Sequence, residues 1–119
     1  MMKRNLHLLI DDRKLWMSQA VLEVADLPTI RATSLSNLER WKAQGTWGRV
    51  YDQWWEIMAH AGDEEIIHIM TGEGDEPNRL RQSMPYVGII DEETRQKVLA
   101  RYHEACRLND LLPDDILVD

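Results

Sequence analysis

The chain's candidate nucleophile and metal ligands begin with one cysteine and four histidines. Cys106 has His103 three positions earlier, and on a helix that spacing lets an imidazole polarise a thiol for nucleophilic attack. The helical wheel works against the pairing. Val98, Leu99, Tyr102, Ala105, Cys106 and Leu108 share one apolar face, while His103 falls on the wet side. The pattern predicts a buried structural thiol and no catalytic residue. Glu65 and His68 form a Glu-x-x-His pair, the spacing used by di-iron helical bundles, which also need a second such pair and two more carboxylates on facing helices. The chain offers no second pair. His60, Asp63, Glu64 and His68 can gather around a turn, but their spacing matches no specific ligand set. Gly72 and Gly74 are too closely spaced for a phosphate-cradling loop. No metal or cofactor is expected.

The sharpest polar feature is Arg79 to Tyr86, reading RLRQSMPY. Arg79, Arg81, Gln82 and Ser83 place two guanidinium groups, an amide and a hydroxyl together, directly after an acidic loop. Arginine forks suit carboxylate or phosphate, so these four residues are the candidate site for an anionic ligand or an acidic partner segment. The competing reading pairs Arg79 and Arg81 with Glu73, Asp75 and Glu76, pinning the loop down.

Helices must position these groups. From residue 5 to 25 the chain has neither Gly nor Pro, and Leu6, Leu9, Ile10, Trp16, Met17, Ala20, Val21 and Val24 form a main apolar stripe. Leu8, Leu15 and Leu22 repeat at intervals of seven on the opposite side. One face cannot serve both stripes, so this leucine seam is the candidate partner-binding surface. The C-terminal segment, a second copy of the chain or a foreign helix could cover it. A rival local reading makes Leu6 to Ile10 a short strand, with the helix starting after Asp11 or Asp12.

Asp26 and Pro28 mark the start of a helix over 28 to 44, with Ser34 or Ser36 as alternative caps and Gly45 as the stop. The next helix, 48 to 61, repeats Trp47, Val50, Tyr51, Trp54, Trp55, Ile57, Met58 and Ala61 at steps of three and four. At about 100° per residue these cover an arc of roughly 160°. With Trp41 they make residues 41 to 61 the expected centre of the core. Gly62 is expected to supply a positive φ and Asp63 to cap a short helix over 64 to 70. Residues 71 to 78, TGEGDEPN, read as a loop in which Asp75 caps a single turn near Pro77. Tyr86 to Ile90 is a docked loop or a short extended piece. Asp91 caps a last helix over 92 to 108, with Glu92 and Glu93 at the positive end of its dipole. The acidic tail, residues 110 to 119, is expected either to dock on a groove or to reach a partner.

The reading is therefore an all-α single domain over residues 1 to 119, a bundle of four main helices plus a short helix and an ordered loop region. Its 119 residues, 44% hydrophobic and 29% charged, suffice for a core without staples. A single cysteine, with no signal-like or membrane-spanning stretch, points to a reducing cytoplasm. The net charge of −7 argues against nucleic acid, whose binding rests on clustered Lys and Arg. A helix-turn-helix reading of residues 28 to 61 fares poorly for the same reason, since Arg49, Asp52, Gln53 and Glu56 would form the reading face, and Trp41 stands where a small residue is wanted. The expected function is a small non-enzymatic cytoplasmic interaction module, a regulator or adaptor such as an antitoxin or accessory subunit. It would bind a protein partner, itself as a homodimer among the candidates, through the first helix. The alternatives are an anion-binding helical domain using Arg79 to Tyr86 and, less favoured, a DNA-binding regulator.

Overall fold

The structure, a computed structural model, describes residues 4–116. Six α-helices follow one another with no strand among the described residues: α1 (Leu6–Val24), α2 (Leu27–Ala43), α3 (Arg49–His60), α4 (Asp63–Thr71), α5 (Asp75–Arg81) and α6 (Glu92–Leu108). A 3-10 turn at Asp114–Ile116 closes the described chain.

Helix starts follow the polar side chains that precede them. Asn5, Asp26 and Asp91 each accept from a backbone N–H three residues on, at 2.9, 2.9 and 2.8 Å, satisfying donors that the helix leaves free. The cap at Asn5 makes Leu6 to Ile10 helix, not strand. Two expected caps are corrected. Gly62 has φ −71° and is itself the N-cap of α4, so Asp63 is the first helical residue and its carboxylate goes instead to Arg31. Likewise α5 begins at Asp75, two residues before Pro77, because Gly74 at φ 120° makes the turn that the sequence reading assigned to Asp75. Such a φ is open to glycine and strained for other residues.

Helix ends are held by arginines. Arg31 on α2 donates to the Met58 and Ala61 carbonyls at 3.0 and 2.6 Å, and Arg81 on α5 donates to the Ile69 carbonyl at 2.8 Å. Each places a cation against the negative end of α3 or α4, where the dipole favours it.

The central helix is α1, which packs against α4, α5 and α6, while α2 packs chiefly on α3. The expectation that everything surrounds residues 41 to 61 is corrected accordingly. The main core gathers Val21, Ile30, Leu38, Trp54, Met58, Ile66, Met70, Leu80 and Tyr86 from α1 to α5 and the following loop. A second cluster of Leu9, Tyr102 and Cys106, flanked by Leu6, Ile10 and Trp16, joins α1 to α6. Val24, expected on the core stripe, is 60% exposed at the last position of α1, although Val21 and Leu22 in the same turn pack on the core. The two helices run antiparallel: the Arg4 N–H meets Asn109 Oδ1 at 2.9 Å at one end, and the Arg101 guanidinium lies over the Trp16 ring, 3.9 Å from its centroid, farther along.

Residues 84 to 90 form a docked loop. Tyr86 is buried, stands edge-on to Trp54 with centroids 5.8 Å apart, and shares a short hydrogen bond with the Ser18 hydroxyl. Asn37, buried in α2, donates to the carbonyls of Pro85 and Val87 at 2.9 and 3.0 Å.

Candidate functional site

The four residues singled out between 79 and 83 do not converge on one open site. Arg79 pairs with Glu76 one turn earlier and reaches Gln53 Oε1 at 3.0 Å; the shared hydrogen bonds hold the Glu76 carboxyl below its ordinary range. Arg81 has no exposed surface. Its second amino group donates to Asn78 Oδ1 at 2.7 Å, and its Nε has no partner. Burial lowers the Arg81 pKa, with Tyr86, Asp11 and Glu73 acting the other way. Gln82 donates to Asp11 at 2.8 Å, tying α5 to α1. Ser83 is half-buried in the turn that follows α5. Among the four, Arg79 and Gln82 are open to water, and each has a partner within the chain.

The leucine seam is graded along α1. Leu8 is 41% exposed, Leu15 is half-buried, and Leu22 packs against the main core. Beside Leu8 and Leu15 on the wheel lie Asp12, Trp16 and Gln19. Across the helix pair, Arg101 covers Trp16, and Leu108, on the same row of α6 as Arg101, is 64% exposed. Each helix of the α1–α6 pair thus has an exposed leucine, Leu8 on α1 and Leu108 on α6.

The opposite side of the pair holds a feature that sequence reasoning missed. A cleft of about 570 Å³ opens between α1, α6 and residues 84 to 90. Met17, Met84 and Leu99 line it with Arg13, Lys14 and Arg95. Lys14 and Arg13 follow each other in the sequence, but neither belongs to a stripe or a motif, so their common destination carries no signal in the pattern. Arg13 is held by Asp114 at 2.9 Å and lies 4.6 Å from the centre of the Tyr102 ring. Arg95 pairs with Glu92 at 3.2 Å. Lys14 has no ion-pair or hydrogen-bond partner among the described residues. Burial lowers its pKa, the neighbouring Arg13 charge acts in the same direction, and the Asp114 carboxylate acts the other way.

The acidic tail docks at the edge of this cleft. Asp114 accepts from Arg13 and from the Tyr102 hydroxyl, and Asp115 meets the His103 ring at 2.9 Å. Desolvation raises the Asp114 pKa, but the bonds from Tyr102 and Arg13 outweigh it and hold the carboxyl below its ordinary value. Residues 117 to 119 of that tail lie outside the described residues. Cys106 is fully buried and burial pushes its thiol up, which leaves it protonated and unreactive, while His103 faces the tail. Glu65, His60 and His68 are exposed. No three His, Cys, Asp or Glu side chains gather closely enough to hold a metal among the described residues. Among the described residues no helix is long and apolar enough to cross a membrane.

In the α2–α3 pair Trp41 packs edge-on against Tyr51, with centroids 5.7 Å apart. Trp47, donating to Asp52 at 2.8 Å, is held against the same ring. These aromatics join the two helices, and Arg49, Asp52 and Glu56 are left outside with a net negative charge.

No family model, curated protein or solved structure matches the chain.

Proposed function

We propose that the protein is a small, non-enzymatic interaction module that pairs with a second copy of itself through the outer face of α1 and α6. It would act as a regulator or accessory subunit in a reducing, cytoplasmic setting. The observation that carries this reading is the exposure of Leu8 and Leu108, which lie at the same end of the antiparallel pair, beyond the Trp16–Arg101 stack. An aromatic and aliphatic patch flanked by polar side chains is the usual composition of an interface centre. A nineteen-residue helix is about 28 Å long, and α6 packs alongside it.

The charge of this face favours a second copy over a basic partner. Its rows carry Arg4 and Arg101 against Asp12 and Glu23, two of each sign, and Arg4 already pairs with Asp12 at 3.0 Å. The chain as a whole carries −7, so this strip is a place where two copies meet without adding repulsion. A two-fold interface requires such a self-complementary patch. Sedimentation equilibrium tests the proposal: the native chain should show twice its 14.0 kDa mass, and a mass of one chain across the concentration range overturns it.

A further inference from the structure

We propose that the cleft between α1, α6 and residues 84 to 90 binds a small amphipathic carboxylic acid, with the carboxylate on the Lys14 ammonium and the apolar body against Met17, Met84 and Leu99. This site lies on the opposite side of the helix pair from the dimer face and does not depend on it.

The cleft has the size and mixed lining of a small-molecule site. Its volume of about 570 Å³ falls within the range of such pockets, which are mostly apolar with a few polar groups that fix orientation. Charge decides the ligand class. Three cations line the cleft, but Asp114 holds Arg13 and Glu92 holds Arg95. Lys14 alone makes no ion pair or hydrogen bond among the described residues, with Asp114 attracting it only from farther off, and it is half-buried. A partly desolvated ammonium with no carboxylate of the described residues bonded to it is unfavourable, and an incoming carboxylate supplies the direct contact that Asp114 does not, in a charge-assisted hydrogen bond. The same lining selects against a phosphate dianion. Glu92 and Asp115 also face the cleft, and each arginine that would suit a phosphate already has a carboxylate partner. A single negative charge on an apolar body fits one free ammonium beside two methionines and a leucine.

The test uses decanoate, at concentrations where it is monomeric, titrated into the full chain by calorimetry, with decanol and decylamine as neutral and cationic analogues. Native protein should bind decanoate saturably. Lys14→Met should weaken binding by about tenfold or more, the usual effect of one charge-assisted bond, and Lys14→Arg should keep most of it. Met17→Trp, which retains Lys14 and fills the cleft, should also abolish binding, and it reads the site independently should Lys14→Met fail to fold. Absence of saturable decanoate binding overturns the proposal. So does native affinity in Lys14→Met or Met17→Trp, or equal binding of decanol or decylamine.

Discussion

Arg81 and Ile69 are joined by a hydrogen bond of 2.8 Å from a fully buried guanidinium to a carbonyl of the last turn of α4. The cation sits where the α4 dipole is negative, and it shields carbonyl oxygens that the helix itself leaves without donors. A residue that reads as a ligand-binding arginine in the sequence is thereby a structural one. Arg81→Met should destabilise the fold by about 3 kcal/mol, because Ile69 and Asn78 lose a buried donor. Arg81→Lys should lose nearly as much, since an ammonium cannot reach both acceptors in the fork geometry. Urea unfolding of the two variants measures this, and a lysine variant of native stability would contradict it.

The Ser18–Tyr86 bond ties the loop at 84 to 90 to α1, and a mutant cycle isolates its contribution. Ser18→Ala and Tyr86→Phe should each cost about 1–2 kcal/mol by leaving the other hydroxyl buried without its partner. The double variant should cost less than their sum. Additive losses would mean that the two hydroxyls are not coupled.

Much of the helical order is legible in the sequence because it is set locally. Asn5, Asp26 and Asp91 cap the helices that follow them, and the three- and four-residue repeat of α3 delivers Trp54 and Met58 to the core. What the pattern misses is set by partners distant in sequence. Periodicity shows that α1 has two apolar sides but not that Leu22 is covered while Leu8 is exposed, because that depends on where α4 and α5 pack. It marks Arg81 as polar and cannot reveal that the chain end of α4 needs a cation. Lys14 acquires its significance from α6 and the loop at 84 to 90, which lie some 70 or more residues away in the sequence.

Acid should loosen the tail. Asp114 titrates lower in the folded chain than its ordinary value of 3.8, so its stabilising effect is present above that value and is lost as pH falls through the lower folded one. Asp114→Asn should melt below the native chain at pH 7, and the gap should narrow below about pH 3.8. A gap that stays constant with pH would show that the carboxylate charge is not what holds the tail.

Alkali acts through Tyr86 and Tyr102. Burial raises both phenols well above 10.0, so the folded state holds its protons more tightly than the unfolded chain. Stability is full below pH 10 and falls as pH rises beyond it. Tyr86→Phe should flatten part of that alkaline decline, as thermal melts between pH 8 and about 11 would show. An unchanged alkaline slope would contradict the assignment.

Two glycines at helix starts should respond oppositely to alanine. Gly74 has φ 120° and ψ 174°, so Gly74→Ala should cost about 1–3 kcal/mol in backbone strain. Gly48, at φ −174° with open space around it, should tolerate alanine within about 0.5 kcal/mol. Equal losses in the two variants would show that α5 does not depend on the Gly74 turn.

Light scattering on the native chain and on the Leu8→Glu, Leu108→Glu double variant tests the proposed self-association most directly. Both leucines are substantially exposed, so their replacement leaves the core intact, and circular dichroism should show native helix content. The native protein should show twice the 14.0 kDa chain mass, and the folded variant 14.0 kDa. A native monomer at every concentration, or a variant that remains a dimer, would contradict it.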